Sequence, residues 1–307
     1  MNLCNIILNE ISEQRSINAL KRQTLISQIE NSEHGEDYLT CKSLIFEIAK
    51  NKHNGIDTTE QEKKLSSLKN ALYKNLEKSG FDINFLQNPY NCTKCKDKGK
   101  TIKGYCSCYY KKLSEHILNN CGLNLNKLPD LNNVKFDFLK DEKIINERKQ
   151  LVKLLLEFVK KCDDNGKKIM LLCGNVGVGK THLLHGVVNE GIKNNKFVVY
   201  STAFGLNKDF LKYHCAKLEE KDEILNNYIN ADILCIDDLG TENILKNVTC
   251  EYLFLIINER IIRNKATIIT TNLKLSQIID VYDERIYSRL KDKQNAIVVN
   301  LTGDDMW

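Results

Sequence analysis

The sequence lacks long hydrophobic runs, and no stretch approaches the roughly 18–20 apolar residues that a membrane-spanning helix requires. Its first residues also lack the basic start and the apolar stretch of a secretory signal. We therefore expect a cytoplasmic protein with no membrane partner. Proline is scarce, with two residues in 307, and the first 88 residues contain none. There is no internal repeat or low-complexity linker, and a hydrophobic content of 42% excludes a chain that is mainly disordered.

Net charge is also low, at +5 for the whole chain. The excess is local, because residues 91–112 contain seven lysines and a single acid, Asp97. Such a patch is compatible with nucleic acid, with an acidic protein surface or with ordinary solvated charge. Tyr105, Tyr109 and Tyr110 lie among the lysines, and bases can stack on aromatic side chains. The segment is therefore a candidate nucleic-acid surface.

Cysteine is abundant, and four of the twelve cysteines lie close together in the sequence. The other eight are scattered singly, as small buried hydrophobes are in a reducing compartment. Because Zn²⁺ takes four thiolates tetrahedrally, the cluster predicts a structural zinc site. Its last spacing, Cys-x-Cys, is unusually tight, so His116 or Cys121 is an alternative ligand. Redox or unliganded cysteines and an iron–sulfur cluster are further alternatives. The predicted zinc ligands are Cys92, Cys95, Cys106 and Cys108.

The chain has three regions of different pattern. Residues 1–88 carry apolar residues at helical spacing, for example at Ile7, Ile11 and Leu20, and Thr58 precedes a second such set as a capping hydroxyl would. We expect an all-α bundle there, which could also serve as a docking module for another protein. The lysine- and cysteine-rich segment follows.

The last region alternates apolar strands with amphipathic helices, which is typical of a parallel sheet covered by helices on both faces. The predicted strands are Ile169–Cys173, Phe197–Ser201, Ile233–Ile236, Thr267–Thr270 and Ile297–Leu301.

A glycine-rich loop follows the first of these strands and leads into a helix. It fits the pattern G-x4-G-K-[ST] at every fixed position. Its glycines let backbone N–H groups turn inward around phosphates, and the helix N-terminus adds partial positive charge. We expect Lys180 to reach the β- and γ-phosphates of a nucleotide and Thr181 to ligate Mg²⁺. The predicted nucleotide-binding residues here are Gly174, Asn175, Val176, Gly177, Val178, Gly179, Lys180, Thr181 and His182.

Two further strand ends carry polar residues. Asp237 and Asp238 follow an apolar strand, which places them at the carboxyl edge of the sheet beside the phosphate loop. We expect Asp237 to hold Mg²⁺ through water and Asp238 to polarise the attacking water as a general base. Asn272 ends the next strand and is placed to orient water or contact the γ-phosphate.

Downstream, Arg285 and Arg289 lie four residues apart and so share one face of a helix. An arginine supplied by a neighbouring subunit can neutralise charge on a transferred phosphate. Both are therefore catalytic candidates, and the alternative for them is a surface ion pair with Asp283 or Glu284.

Four elements together resemble the AAA+ ATPase domain of bacterial DnaC/DnaI-type replicative helicase loaders: the loop at 174–181, Asp237-Asp238-Leu239-Gly240, Thr270-Thr271-Asn272 and Glu284-Arg285…Ser288-Arg289-Leu290. The resemblance covers roughly residues 135–303. The cysteine segment is similar to the cysteine module of many such loaders, which extends the likeness to about residue 89.

The resemblance implies an ATPase that uses ATP and Mg²⁺, with Asn272 as nucleotide sensor and Arg289 as arginine finger, Arg285 being the other candidate. It also implies that the ATPase domains self-associate, that the N-terminal helices bind the replicative DNA helicase, and that the ATPase domain contacts single-stranded DNA. Three residues after the second predicted strand are candidates for the DNA contact: Phe204, Lys208 and Lys212.

Two features depart from the family pattern. Asp238 stands where many AAA+ ATPases have glutamate, and few residues follow Arg289, so we expect no C-terminal helical lid and weak or partner-dependent hydrolysis. An IstB-like transposition helper ATPase and a nucleotide-gated adaptor with little hydrolysis are the alternatives. The predicted organisation is a helicase-binding region at 1–88, a zinc module at 89–121, a linker at 122–147 and a five-stranded α/β AAA+ domain at 148–307.

Overall fold

The computed structural model describes residues 3–136 and 141–302, except for the side chains of residues 218–220, 222 and 223. The chain divides into two compact units, Met1–Tyr109 and Tyr110–Trp307. Among the described helices, none combines the length and the apolar character needed to cross a membrane.

Helices make up most of the first unit. Their bounds are α1 (Leu3–Glu30), α2 (Gly35–His53), α3 (Thr59–Lys78) and α4 (Ile83–Gln87). The predicted apolar positions Ile7 and Ile11 are buried, and so is Leu76 of α3. Leu20, on α1 like Ile7 and Ile11, is instead 66% exposed.

The start of α3 also differs from the sequence prediction. The Thr58 hydroxyl accepts no backbone hydrogen bond and instead lies 3.3 Å from Glu62 Oε1. Asp57 takes the capping role, because its Oδ1 accepts the Thr59 backbone N–H at 3.0 Å and the Thr59 hydroxyl at 2.6 Å. These hydrogen bonds lower the pKa of Asp57.

The cysteine segment forms a short antiparallel hairpin, β1 (Lys100–Thr101) and β2 (Gly104–Tyr105). Gly99 precedes it with φ 70°, and a Cβ there would lie 2.8 Å from Leu8 Cδ2. The hairpin therefore packs directly against α1, and the left-handed backbone at position 99 favours glycine.

The second unit contains the parallel sheet. Helix α5 (Ser107–Asn120) crosses the boundary between the units, and short 3₁₀ turns follow at Leu125–Lys127 and Leu131–Asn133. The remaining elements are α6 (Glu142–Lys160), β3 (Ile169–Gly174), α7 (Lys180–Lys193), β4 (Val198–Thr202), α8 (Ala203–Cys215), α9 (Leu218–Asn230), β5 (Ile233–Leu239), α10 (Thr249–Ile262), β6 (Ala266–Thr271), a 3₁₀ turn at Leu275–Gln277, α11 (Ile278–Val281), α12 (Glu284–Lys291) and β7 (Ala296–Leu301).

All five strands of this sheet are parallel, in the order β4-β5-β6-β3-β7. Met170 and Ile268 pack with apolar residues of α6 and α7 on one face. Strand residues alternate between faces, so Thr267 points to the other face, where α10 lies. The predicted α/β fold with helices on both faces is confirmed. β7 is the last described element.

Arg260 of α10 is a fully buried cation within this unit. Burial lowers its pKa to about 9, which still leaves the guanidinium charged at neutral pH. Its nitrogens donate to one hydroxyl and to backbone carbonyls at the end of α9 and on β6, and thereby join α9 and β6 to α10. The acceptors are Tyr228 O (2.6 Å), Ile229 O (3.2 Å), Ala231 O (2.9 Å), Ala266 O and Thr267 Oγ1 (2.9 Å).

Candidate functional site

The predicted phosphate loop joins β3 to α7. Gly177 and Gly179 have φ values of 83° and 85°, in the left-handed region that favours glycine. Gly174 is required for another reason, since a Cβ there would lie 2.7 Å from the carbonyl oxygen of Leu301 on β7. The backbone N–H groups at the start of α7 lie at the end of this loop, where they suit an anion. Asn175, Val176 and His182 are exposed and Val178 is buried.

Lys180 is buried, and its ammonium lies inside the loop. Its Nζ donates to Gly174 O at 2.9 Å, to Asn175 O at 2.6 Å and to Asn272 Oδ1 at 2.7 Å. Burial lowers the pKa of Lys180, against the charges of Asp238 and Asp237. The pairing of β3 with β6 thus places the predicted sensor amide beside the loop lysine, although 92 positions separate the two residues.

Asp237 is almost fully buried next to Thr181. Its Oδ1 accepts from the Thr181 hydroxyl at 3.1 Å and from the Thr270 hydroxyl at 2.6 Å. Its Oδ2 accepts from the Tyr200 hydroxyl at 2.9 Å. Hard cations such as Mg²⁺ prefer oxygen ligands, so the neighbouring hydroxyl of Thr181 and carboxylate of Asp237 fit this ion.

Asp238 has a backbone conformation that is unusual for a residue other than glycine. Its φ is 56°, at a bulge where the β5–β6 register shifts between Ile236 and Leu239. The Thr270 hydroxyl accepts its backbone N–H at 2.8 Å. Burial and the nearby charge of Asp237 raise the pKa of Asp238, against the opposite effect of Lys180. A carboxylate with a raised pKa is a stronger base, which suits the predicted role.

Two residues of this site, Tyr200 and Glu242, could not be predicted from the sequence. Tyr200 contacts Asp237 as described, but a tyrosine within an apolar strand resembles an ordinary core residue. Glu242 is also buried, and its carboxylate accepts the Gly240 N–H at 2.9 Å and the Tyr282 hydroxyl at 2.5 Å. It connects the turn after Asp238 to the residue that ends α11. No local pattern in the sequence indicates the contact between Glu242 and Tyr282.

The two candidate arginines lie on α12 and differ in their partners. Arg285 donates to Glu251 at 2.9 Å and to Asp283 at 2.8 Å, so the ion pair with Asp283 that the sequence left open is present. Arg289 donates only to the neutral amide oxygen of Asn258, at 3.1 and 3.2 Å, among the hydrogen bonds of the described residues. Both guanidinium groups lie over the ring of Phe254.

Comparison with known proteins identifies the family. Residues 133–296, more than half of the chain, match the model of the bacterial DnaA ATPase domain. The chain belongs to this family. The resemblance to AAA+ ATPases of the DnaC/DnaI type fits this membership, and the predicted ATPase fold is confirmed at this level.

Individual relatives share parts of the chain. The chromosomal replication initiator protein DnaA of Mycoplasma genitalium is 29% identical over 130 residues, which is 42% of this chain and 29% of that protein. The chain thus spans under a third of the length of this relative. The crystal structure of DnaI has 23% identity and a TM-score of 0.45, covering 62% of this chain and 92% of DnaI. The crystal structure of the DnaC helicase loader has 22% identity and a TM-score of 0.45, covering 55% of this chain and 96% of DnaC.

The four clustered cysteines come together in the first unit. Their Sγ atoms all lie within 4.8 Å of one another, with Cys92 and Cys106 3.7 Å apart and Cys95 and Cys108 3.4 Å apart. A zinc tetrahedron with Zn–S bonds of about 2.3 Å has S···S edges of roughly 3.8 Å, so the thiols fit Zn²⁺. The two alternative ligands, His116 on α5 and Cys121 after it, do not belong to this group.

Asp97, the single acid among the lysines, has a structural role that its position in the sequence does not indicate. It is buried, with φ 53°, and its carboxylate accepts the backbone N–H groups of Cys92 at 2.7 Å and Asn91 at 2.9 Å. These bonds fix the first cysteine turn. Asp97 therefore contributes to the fold of the module.

The tyrosines of this segment do not form an exposed set. Tyr109 is buried and stacks on Tyr105 with ring centroids 4.1 Å apart. Tyr110 packs against Phe197 at 5.1 Å. Packing therefore covers part of these rings, and Tyr105, which is 38% exposed, stays the predicted base-stacking residue of this segment.

Zinc binding is tested by metal analysis of the purified chain. We expect about one zinc ion per chain, lost in Cys106→Ser, because the hairpin is too small to form a core without the metal. Cys41→Ser is the matched control, since Cys41 is a buried cysteine of the same unit outside the cluster. Zinc-free protein with four reactive thiols would contradict the assignment, and iron with visible absorbance would indicate an iron–sulfur cluster.

Proposed function

We propose that this protein is an ATP-controlled loader of the replicative DNA helicase. In this proposal the N-terminal helices bind the helicase, and the ATPase domain helps to place it on single-stranded DNA. The observation that carries the proposal is that one chain combines a phosphate loop, with the predicted site residues hydrogen-bonded beside it, in the second unit with helices and a cysteine cluster in the first. Membership of the DnaA ATPase family and the four sequence elements shared with DnaC/DnaI-type loaders support it.

The chemistry follows from the site residues. Lys180 would neutralise charge on the β- and γ-phosphates, and Thr181 with Asp237 would hold Mg²⁺, which supplies positive charge to the phosphate oxygens. Asp238 would accept a proton from the attacking water, and Asn272 would orient that water or the γ-phosphate. The contact between Lys180 and Asn272 supports this arrangement, since it brings the loop and the proposed sensor within hydrogen-bond distance.

Exposed apolar side chains in the first unit support a role in helicase binding. Leu39 and Phe46 of α2 are 50% and 75% exposed and lie two turns apart on one side of the helix. Leu20 and Ile17 of α1 are exposed as well. The pair on α2 places two large apolar side chains on one face, the kind of surface that a partner protein covers.

For single-stranded DNA, the ATPase domain offers a better surface than the cysteine segment. Phe204 of α8 is 68% exposed, and Lys208 lies one turn later. An exposed ring next to a cation suits base stacking and phosphate contact. Lys212 is already paired with Asp209 at 2.6 Å and so is the weaker candidate.

Self-association through an arginine finger gives a direct prediction. Arg289→Ala should lower ATP turnover in the presence of partners roughly 10–100-fold, the value of one charge-assisted hydrogen bond. Arg285→Ala, the matched control, removes an exposed ion pair and should change turnover by less than about fivefold.

Mixing experiments test whether the arginine acts between subunits. A mixture of Arg289→Ala and Lys180→Ala proteins should recover turnover, because the intact site of one subunit can meet the intact arginine of the other. No recovery at any mixing ratio would contradict a finger that acts in trans.

The loader proposal is tested with purified helicase and circular single-stranded DNA, onto which a closed ring cannot thread from an end. We expect the chain to bind the helicase through residues 1–88 and to raise the amount of helicase on the circle in the presence of ATP. Binding to a transposase instead would favour the IstB-like alternative. Helicase binding with ATP but without turnover would favour the adaptor.

A further inference from the structure

The nucleotide site includes a buried tyrosine that the proposed chemistry does not use. We propose that Tyr200 is a positioning residue for Asp237, and that its hydroxyl sets the affinity of the site for Mg²⁺. The inference rests on the proposed nucleotide site and adds a role for a residue on β4, outside the phosphate loop.

The two oxygens of Asp237 have different surroundings. Oδ1 faces the hydroxyls of Thr181 and Thr270, on the side of the phosphate loop. Oδ2 accepts the Tyr200 hydroxyl at 2.9 Å in a buried environment. Since both oxygens are held, the carboxylate plane has one orientation, and Oδ1 stays on the side where the metal would be held.

Tyr200 itself is fixed by its neighbours. Its β4 position pairs with Cys235 of β5, two residues before Asp237. Its carbonyl oxygen lies 3.4 Å from Cys121 Sγ, and the ring of His185 packs edge-on against its ring with centroids 5.3 Å apart. Its hydroxyl therefore has a defined position from which to donate.

The charge state of the neighbours supports the same role. Burial and the charge of Asp237 raise the pKa of Tyr200, so the hydroxyl keeps its proton and remains a donor. Burial lowers the pKa of His185, whose Nε2 has no hydrogen-bond partner among the described residues. A neutral imidazole adds no positive charge that would compete with a metal ion for the carboxylate.

Removal of the tyrosine hydroxyl should therefore weaken metal binding specifically. Oδ2 of Asp237 would lose its donor, and the carboxylate would be free to turn away from Thr181. Loss of an outer hydrogen bond to a metal-binding group commonly costs about 10–100-fold in metal affinity. Nucleotide binding without metal depends on the loop backbone and Lys180 and should not change.

The experiment measures binding of a fluorescent ATP analogue to the full chain, in EDTA and across a Mg²⁺ titration. Tyr200→Phe should raise the Mg²⁺ concentration for half-saturation about tenfold or more and leave affinity in EDTA unchanged. Tyr228→Phe is the matched control, because it removes a similar buried hydroxyl, which donates to Asp209 at 2.7 Å and not to Asp237. That control should keep the original Mg²⁺ requirement.

A double-mutant cycle with Asp237→Asn tests whether Tyr200 acts through Asp237. When the Asp237→Asn substitution is already present, Tyr200→Phe should shift the Mg²⁺ requirement by less than about twofold. An unchanged Mg²⁺ requirement in Tyr200→Phe alone, or an equal shift in Tyr228→Phe, overturns the role of Tyr200. If the unaltered chain shows no Mg²⁺-dependent nucleotide binding, the nucleotide site fails and this proposal fails with it.

Discussion

Asp238→Asn is expected to lower ATP turnover about 10²–10⁴-fold, the usual contribution of a general base, while ATP binding is retained. Asparagine has the same shape and tolerates the left-handed backbone that Asp238 adopts, so the bulge after Ile236 should persist. What disappears is the carboxylate that accepts the proton. Steady-state hydrolysis with helicase and single-stranded DNA, together with nucleotide affinity, measures both effects.

A control and a pH profile separate catalysis from folding. Asp164→Asn alters an exposed carboxylate outside the site and should leave turnover unchanged. Burial and the charge of Asp237 raise the pKa of Asp238, so the reactive unprotonated form is lost as the pH falls through that raised value. Turnover should therefore decline at a higher pH than an ordinary aspartate would cause. Unchanged turnover in Asp238→Asn would remove Asp238 from the mechanism.

Arg260→Met is expected to destabilise the second unit by about 3–5 kcal/mol, because several buried carbonyls lose their shared donor at once and each unsatisfied group costs about 1–3 kcal/mol. The guanidinium is the common donor for carbonyls at the end of α9 and at the start of β6. Methionine fills similar volume but leaves those carbonyls buried without a donor. This loss is a large fraction of the total stability of an ordinary domain.

Thermal unfolding measures this effect. For a unit of this size the unfolding temperature should fall by roughly 6–20 °C. Arg263→Met is the matched control, because Arg263 is exposed and pairs with Glu259 on the same helix, so its loss should cost under about 1 kcal/mol. Equal unfolding temperatures for the two variants would show that the buried hydrogen bonds of Arg260 contribute nothing beyond a surface pair.

The strands of the ATPase domain were predicted from sequence within about three residues of their ends. β5, for example, was expected at Ile233–Ile236 and extends to Leu239. Buried parallel strands form near-continuous apolar runs, which makes them easy to recognise. In the helical bundle Leu20 is exposed, and Asp57 caps α3 in place of Thr58. Amphipathic spacing predicts a helix but does not show which neighbouring element packs against its apolar face.

The roles of individual polar residues were also predictable only where the interacting residues are close together in the sequence. Phosphate-loop residues are contiguous, so their spacing alone indicated a nucleotide site. Asp97 looked like a lone acid in a basic segment, yet it accepts two backbone N–H groups of the cysteine turn. Arg285 and Arg289 were equivalent in sequence, and only their partners on α10 and at the N-cap of α12 distinguish them.

By itself, the sequence determined the phosphate loop, the parallel α/β fold and the clustering of four cysteines, because each depends on residues that are neighbours in the chain. Only the tertiary structure decided which hydroxyls hold Asp237, that Asp238 adopts a left-handed conformation, and that Glu242 joins Tyr282. The reason is physical. A buried polar group needs a hydrogen-bond partner, and that partner is often distant in the sequence. Strand pairing and register determine which residue it is, and the local sequence pattern does not specify either.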